Sequence, residues 1–506
     1  MLGLALSSNL IQTYLFWELV GVASYLLIGF WTERRSASRA AKKAFLINRF
    51  GDVCFLFGIV ALIYYVYNFD ISQGFSILSF VNISIWSNSI FGLTDTSIFN
   101  LICAMLLMGS IAKSAQFPLH VWLEDAMQAP TPVSALIHAA TMVAAGVFLI
   151  ARLYPLYSLS QDIMLVILWI GLFTALFTGF IAIFQNDIKK LLAFSTCSQL
   201  GLMFFALGSG AFFQGLFNLM THAYFKALLF LVIGAVLTAT SHQQNMKFLG
   251  GLRKQSPICA ATFLTGAIAL SGLLFSGAQS KKWIYLYTYE NLSLGHFTIL
   301  LILTFMTTFY IFKAYFMIFE GEQKTNFNKK KISFSMNFSL SVFVILVLTI
   351  GLVFSNIFQD YIFFETNNKL ANISSEKNII PALITYISSL SGLILAFWAH
   401  RKHLFQRIEP SSNLFWKIVS KKFYIEKFYS FLNHKVFMNI VKIFSFIEKN
   451  IIENIVQFLP FITNKTGSLI AKLQTGNVQA YLACTIFVVG ALLLVLTWVY
   501  YWMMKV

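Results

Sequence analysis

Apolar segments of about twenty residues recur along the chain, near 9–31, 43–67, 98–117, 132–156, 162–184, 188–208, 212–239, 257–276, 297–319, 334–356, 380–399 and 477–503. A helix of about 20 apolar residues crosses the hydrocarbon core of a bilayer. Twelve such runs in 506 residues predict an all-α, polytopic transmembrane helical bundle. The runs are unbroken rather than alternating, which excludes a transmembrane β-barrel. Charged residues make up 11% and hydrophobic residues 58% of the chain. A soluble domain carries about 25% charged residues, so a soluble enzyme, a disordered chain and a nucleic-acid binder are excluded. The net charge of +17 then reads as basic loops that set topology and meet anionic headgroups of the lipid bilayer. Cys54, Cys103, Cys197, Cys259 and Cys484 are scattered, with no CxxC pair, and read as small hydrophobes. No metal or iron–sulfur ligand set is expected on this chain. Residues 1–6 have no basic n-region and read as the tail of a span that begins upstream, not as a signal peptide.

Two apolar segments are interrupted. The run at 98–117 meets Phe117-Pro118-Leu119-His120 and then Gln128-Ala129-Pro130-Thr131-Pro132. Proline removes a backbone donor and breaks a helix. The run at 257–276 passes through Ser271-Gly272 and Ser276-Gly277 into Lys281-Lys282. Broken helices at membrane depth persist where they line a cavity or are covered by protein, and paired interruptions in two halves mark transport sites. The layout therefore predicts a partial first antiporter-like repeat at 1–156 and a second at 157–330. Further transmembrane helices follow at 331–400. Residues 401–475 mix basic side chains with Ile440, Ile443, Phe444, Phe446 and Ile447 at helical spacing, which predicts a lateral amphipathic helix. Residues 476–506 form a carboxyl-terminal anchor.

Ionisable residues stand inside these runs. Glu18 lies in Phe16-Trp17-Glu18-Leu19-Val20, Lys113 in Ser110-Ile111-Ala112-Lys113-Ser114, and His138 in Leu136-Ile137-His138-Ala139. His222 and Lys226 are four apart and share a helical face. Lys281 follows the second break. A charge at the bilayer centre costs ~2.5–3.5 kcal/mol. Such a residue near a span end snorkels, and a histidine such as His138 fits a structural role as well as a proton role. A carboxylate ~4 Å from a lysine favours its charged form by ~4 kcal/mol at an effective dielectric of ~20. A shift of Glu18 relative to Lys113 would thus switch the lysine between holding and releasing a proton, with histidines carrying it onward. Lys189 and Lys190 fit either the start of a proton uptake path or a topology signal. Arg49 and Asp52, three apart, are expected to form a structural ion pair. Glu124 and Asp125 are expected in the linker after the first break.

These residues also carry a resemblance. Phe16-Trp17-Glu18-Leu19-Val20-Gly21, Asn48-Arg49-Phe50-Gly51-Asp52 and Ala112-Lys113-Ser114-Ala115-Gln116-Phe117-Pro118-Leu119-His120 are among its motifs, with the run from Pro130 to Gly146. Asp187-Ile188-Lys189-Lys190, Thr221-His222-Ala223-Tyr224-Phe225-Lys226, Lys421-Lys422-Phe423-Tyr424 and Leu473-Gln474-Thr475-Gly476 complete them. Together they resemble the antiporter-like membrane subunit of respiratory complex I, the NuoL/NdhF (subunit 5) family of NADH:quinone oxidoreductase. The resemblance implies two inverted repeats with broken helices and a lateral helix along the neighbouring antiporter-like subunits of the membrane arm. It implies proton translocation driven by quinone reduction elsewhere in that enzyme. Glu18 and Lys113 match the family's coupling pair, His138 a bridging histidine, His222 and Lys226 the central relay, and Lys281 the exit lysine. No cofactor is implied on this chain; quinone, NADH, FMN and iron–sulfur clusters belong to other subunits. An Mrp-type cation/proton antiporter or inorganic-carbon-uptake subunit shares the 113–146 signature, and a non-pumping structural subunit is the third alternative. The absence of a transit peptide suits a bacterial plasma membrane first, then an organelle inner or thylakoid membrane. The chain departs from the pattern in lacking about three initial helices, in Lys282 where an acidic residue is usual, in Asn218 for a second relay histidine, and in Glu124 for a proline. The titrating role at the exit is left to either Lys281 or Lys282.

Overall fold

The computed structural model of the chain describes residues 1–69, 79–80, 96–324, 332–365, 379–407, 418–419, 421–432, 435, 438–474 and 476–504. Among the described residues, twelve helical spans are long and apolar enough to cross a membrane, and they coincide with the twelve apolar runs. The chain is a multi-pass integral membrane protein. It divides into two compact units, Met1–Phe423 and Tyr424–Val506.

The first unit begins with α1 (Leu10–Ile28), α2 (Arg35–Phe69) and α3 (Thr96–Lys113). Two short helices, α4 (Thr131–Ala139) and α5 (Met142–Arg152), follow a linker. The bundle continues with α6 (Gln161–Phe184), α7 (Ile188–Gly208) and α8 (Phe212–Ala239). Next come α9 (Pro257–Ser271), α10 (Phe275–Asn291), α11 (Leu294–Phe319), α12 (Phe334–Glu365) and α13 (Ile379–Arg401). Helix α7 is the centre: every residue except Lys190 is buried. Its start is set by Asp187, whose carboxylate accepts the Lys189 and Lys190 backbone N–H groups and so satisfies two donors that a helix start leaves orphaned. Helix α8 packs on α4, α7, α9, α10 and α12. It therefore touches both half-helices of the second break and the short helix that follows the first.

The breaks differ in detail from the sequence expectation. Helix α3 stops at Lys113, before Pro118, because Ala115 takes a positive φ of 49° and Pro118 disfavours helix at the residue before it. The run at 132–156, read from sequence as continuous, is itself broken: Ala140 (φ −134°) and Thr141 (φ −114°) leave helical geometry. No proline or glycine marks that break. The second break falls where the glycines predicted, with Gly272 left-handed at φ 79°. Beyond it α10 runs to Asn291, so Lys281 rides inside a membrane-embedded half-helix rather than following a span.

In the second unit, Met438–Ile447 (α14) and Glu453–Leu473 (α15) are joined by a π-helical turn at Glu448–Ile452. Val478–Met503 (α16) follows. The apolar side chains predicted to form a stripe, Ile440, Ile443, Phe444, Phe446 and Ile447, are all exposed within this unit. The lateral region expected at 401–475 includes 408–417, 420, 433–434, 436–437 and 475, which lie outside the described residues.

Candidate functional site

Helix α1 presents Trp17 and Gly21 on one face, one turn apart. Glu18 stands about 100° round the helix from Trp17. That rotation decides the pairing. Lys113, the last residue of α3, places Nζ 3.3 Å from Asp52 Oδ2, with both side chains buried. The Trp17 indole N–H donates to Asp52 Oδ1 at 2.6 Å, and the Lys113 ammonium lies 5.6 Å from the Trp17 ring centroid. Gly21 makes room for that ammonium: a Cβ there would sit 2.9 Å from Nζ. Glu18 instead pairs with Arg49 and accepts the Tyr14 hydroxyl at 2.7 Å.

This corrects two sequence expectations. Arg49 and Asp52 do not pair with each other, because a three-residue step on α2 sends Arg49 to Glu18 and Asp52 to Lys113. Glu18 is not the direct partner of Lys113. Its charge still reaches both Asp52 and Lys113 through space. Asp52 was missed as a site residue although it lies inside an apolar run, the signal that picked out Lys113.

The linker between α3 and α4 is held by charge. Glu124 is buried and pairs with Lys422 and, at 2.8 Å, with Lys190. Burial alone pushes its carboxyl up, but Lys422 and Lys190 outweigh that and hold it below the usual glutamate range. Asp125 meets Lys43 at 2.5 Å. The Trp122 indole N–H donates to the Ala112 carbonyl at 3.1 Å, and Ser114 Oγ to the Val143 carbonyl at 2.8 Å. These bonds tie the linker to the end of α3 and the end of α3 to the start of α5.

At the end of α4, His138 is fully buried and stacks on Phe230 with centroids 5.6 Å apart. Neither ring nitrogen meets a hydrogen-bond partner among the described residues. His222, on α8, faces the Ala139 backbone at the broken end of α4. One turn on, Lys226 Nζ donates to Ser195 Oγ at 2.7 Å and to the Leu192 carbonyl at 3.3 Å, both on α7. The Ser195 hydroxyl in turn bonds the Tyr310 hydroxyl at 2.9 Å. Lys189, His138, Lys226, His222 and Lys281 are successive electrostatic neighbours.

At the second break, Lys281 Nζ donates to the Leu270 carbonyl at 2.7 Å, on the other half-helix, and lies 3.5 Å from Thr307 Oγ1. Gly272 leaves space for its stem: a Cβ there would sit 2.9 Å from Lys281 Cδ. Lys282 is exposed, so of the two exit candidates the structure buries Lys281. Asn218 Oδ1 accepts the Ser280 hydroxyl at 3.2 Å, tying α8 to α10. Lys313, which sequence reading overlooked, is buried on α11 and donates to the Ile183 and Gln185 carbonyls at 2.8 and 3.0 Å. It caps the carboxyl end of α6, where the helix dipole favours a cation. It sits amid an apolar run as Lys113 does, and the same criterion would have found it.

Chemically, the arrangement is a set of buried proton-binding groups, the Asp52–Lys113 pair and the neighbours Lys189, His138, Lys226, His222 and Lys281. Its first lysine has a carboxylate partner; Lys226, Lys281 and Lys313 are held by carbonyls and hydroxyls. Among the described residues no group of three or more His, Cys, Asp or Glu side chains gathers as metal ligands.

Comparison with known proteins follows the same line. The family model described as NADH:quinone oxidoreductase/Mrp antiporter, TM, matches residues 7–309. The chain is 48% identical over 353 residues to the chloroplastic NAD(P)H-quinone oxidoreductase subunit 5 of Marchantia polymorpha, covering 66% of this chain and 49% of that protein. It is 39% identical over 487 residues to the subunit 5 of the Paulinella chromatophora organellar chromatophore, covering 87% and 70%. It is 46% identical over 329 residues to NADH-quinone oxidoreductase subunit L of Neisseria meningitidis, covering 64% and 48%. The chain thus spans about half the length of the Marchantia and Neisseria proteins. Among solved structures, the Mrp complex from a Dietzia species superposes with a TM-score of 0.71 at 22% identity, covering 93% of this chain and 50% of that one; that likeness is one of fold.

Proposed function

The chain belongs to the NADH:quinone oxidoreductase/Mrp antiporter membrane family, and on that premise we propose that it is a proton-translocating membrane-arm subunit of an NAD(P)H:quinone oxidoreductase. The observation that carries the reading is two buried groups of proton-binding side chains, the Asp52–Lys113 pair and the electrostatic neighbours His138, Lys226, His222 and Lys281. Burying a charge without a partner is costly, and nothing in the packing of the fold requires these three lysines and two histidines inside it. Orphaned polar atoms near these groups, Ser110 Oγ, Asn218 Nδ2 and Ser276 Oγ, are the partners that a file of water would use. A proton loaded on Lys113 is stabilised by Asp52. Displacing that carboxylate, or changing the Glu18–Arg49 charge beside it, drives the proton towards His138 and Lys226. Lys281, bonded to the carbonyl end of α9, passes it on. The chain supplies no redox group in this reading; quinone reduction on other subunits provides the drive.

The partners are the neighbouring membrane-arm subunits, with 401–475 lying along the antiporter-like ones. The repeats at 1–156 and 157–330 each contribute one broken helix. The quinone-oxidoreductase names of relatives 46–48% identical favour this over the Mrp-type alternative, whose solved relative shares 22%. The test is the assembled enzyme in sealed vesicles. Quinone reduction should acidify one side without added Na⁺. Na⁺/H⁺ exchange that runs without quinone reduction would overturn the reading in favour of an antiporter.

A further inference from the structure

At the end of the bundle where α4 and α7 begin and α8 ends, a cavity of ≈ 450 Å³ opens. Its lining carries Arg34, Lys189 and His242, and among the described residues that line it none is an aspartate or glutamate. Lys189 is 5% exposed. It spends one of its three donors on the Ala129 carbonyl at 3.1 Å. Its charged neighbour Asp187 is already engaged by backbone N–H groups. The lining also includes apolar side chains, Leu231 and Leu237 from α8 and Met336 and Leu340 from α12. The volume falls within the ~300–1,000 Å³ of ordinary ligand pockets.

The depth of the cavity matters as much as its lining. Trp31 stands at its rim with the Arg34 guanidinium 5.1 Å from the ring centroid. Tryptophan and basic side chains collect at the headgroup level, and the turn that bears them leads into the first turns of α2, with Arg35, Arg39, Lys42 and Lys43. A cavity lined by both cationic and apolar side chains, with Trp31 and Arg34 among them, matches an anionic amphiphile.

We propose that this cavity binds an anionic phospholipid, its phosphate facing Arg34 and Lys189 and an acyl chain following the groove between α8 and α12. A soluble phosphate would use the cationic side chains and leave the apolar part of the lining without a role. The site shares Lys189 with the buried series of proton-binding groups, but lipid binding does not require translocation.

The test uses the full chain in phosphatidylcholine nanodiscs with a trace of photoactivatable phosphatidylglycerol or photoactivatable phosphatidylcholine. Phosphatidylglycerol should label peptides bearing 231–244 and 336–340 severalfold more than phosphatidylcholine. Arg34→Gln, at an exposed position, should lower that labelling about fivefold, the effect of one cation at the membrane surface. Ser339→Trp, exposed on α12 at the cavity wall, should block both lipids. Equal labelling by the two lipids, labelling unchanged in both variants, or full protection by soluble glycerol phosphate would overturn the proposal.

Discussion

The partner of Lys113 is the sharpest point at which geometry and family resemblance diverge, and Asp52→Asn tests it. Asparagine keeps the shape, and its amide oxygen still accepts the Trp17 N–H, but the charge is gone. At 3.3 Å and an effective dielectric of ~20, the lost attraction is about 5 kcal/mol. Removing one member of a buried pair costs about 3–5 kcal/mol in practice. Even 3 kcal/mol changes the proton-binding constant of Lys113 by roughly a hundredfold. Glu18→Gln removes a carboxylate already engaged by Arg49 and acts on Lys113 only through space. In vesicles holding the assembled enzyme, dye-monitored proton pumping per quinone reduced should fall at least tenfold in Asp52→Asn and by a smaller factor in Glu18→Gln. Full pumping in Asp52→Asn, or the reverse order of severity, would refute the assignment of Asp52 as the direct partner.

Three further outcomes follow from particular contacts. Gly272→Val places a branched side chain at φ 79° and against Lys281 Cδ; left-handed backbone alone costs about 1–2 kcal/mol, so the melting temperature in detergent should drop, while Gly295→Ala, where a Cβ would meet only Ser293 Oγ at 3.6 Å, should not lower it. Glu124 has a carboxyl held below its usual value, so its pairing with Lys422 and Lys190 contributes fully above the ordinary glutamate range and is lost as pH falls through the depressed value. Amide exchange at 421–423 should accordingly be fast in Glu124→Gln at pH 7, and in the unmodified chain only well below pH ~4. Lys313→Met removes the cation from the carboxyl end of α6, worth about 0.3–2 kcal/mol, and should speed exchange at residues 185–187 without altering exchange in α3.

Much of the fold was legible because apolar length is a direct physical requirement of the bilayer. Each of the twelve runs became a span, and Gly272 marked its break because a left-handed residue favours glycine. The break at Ala140–Thr141 was not legible: neither residue forbids a helix, and tertiary context opens the turn. Lys113, His138, Lys226 and Lys281 announced themselves as polar groups in oil. Lys313 gave the same signal. The pairing of Glu18 with Arg49, and of Asp52 with Lys113, depends on how α1 and α2 are rotated against α3, which periodicity along one helix cannot supply. Glu124 pairs with Lys422 across nearly three hundred residues, beyond any local pattern.

The account rests on protons moving through the buried groups, and Lys226 is one of them. Lys226→Met keeps the length and apolar body of the side chain and deletes its proton site. The decisive measurement is protons moved per quinone reduced by the enzyme carrying that variant, beside the unmodified enzyme in the same vesicles. The account predicts a lower ratio with quinone reduction still running; an unchanged ratio would show that protons do not travel through this chain's interior.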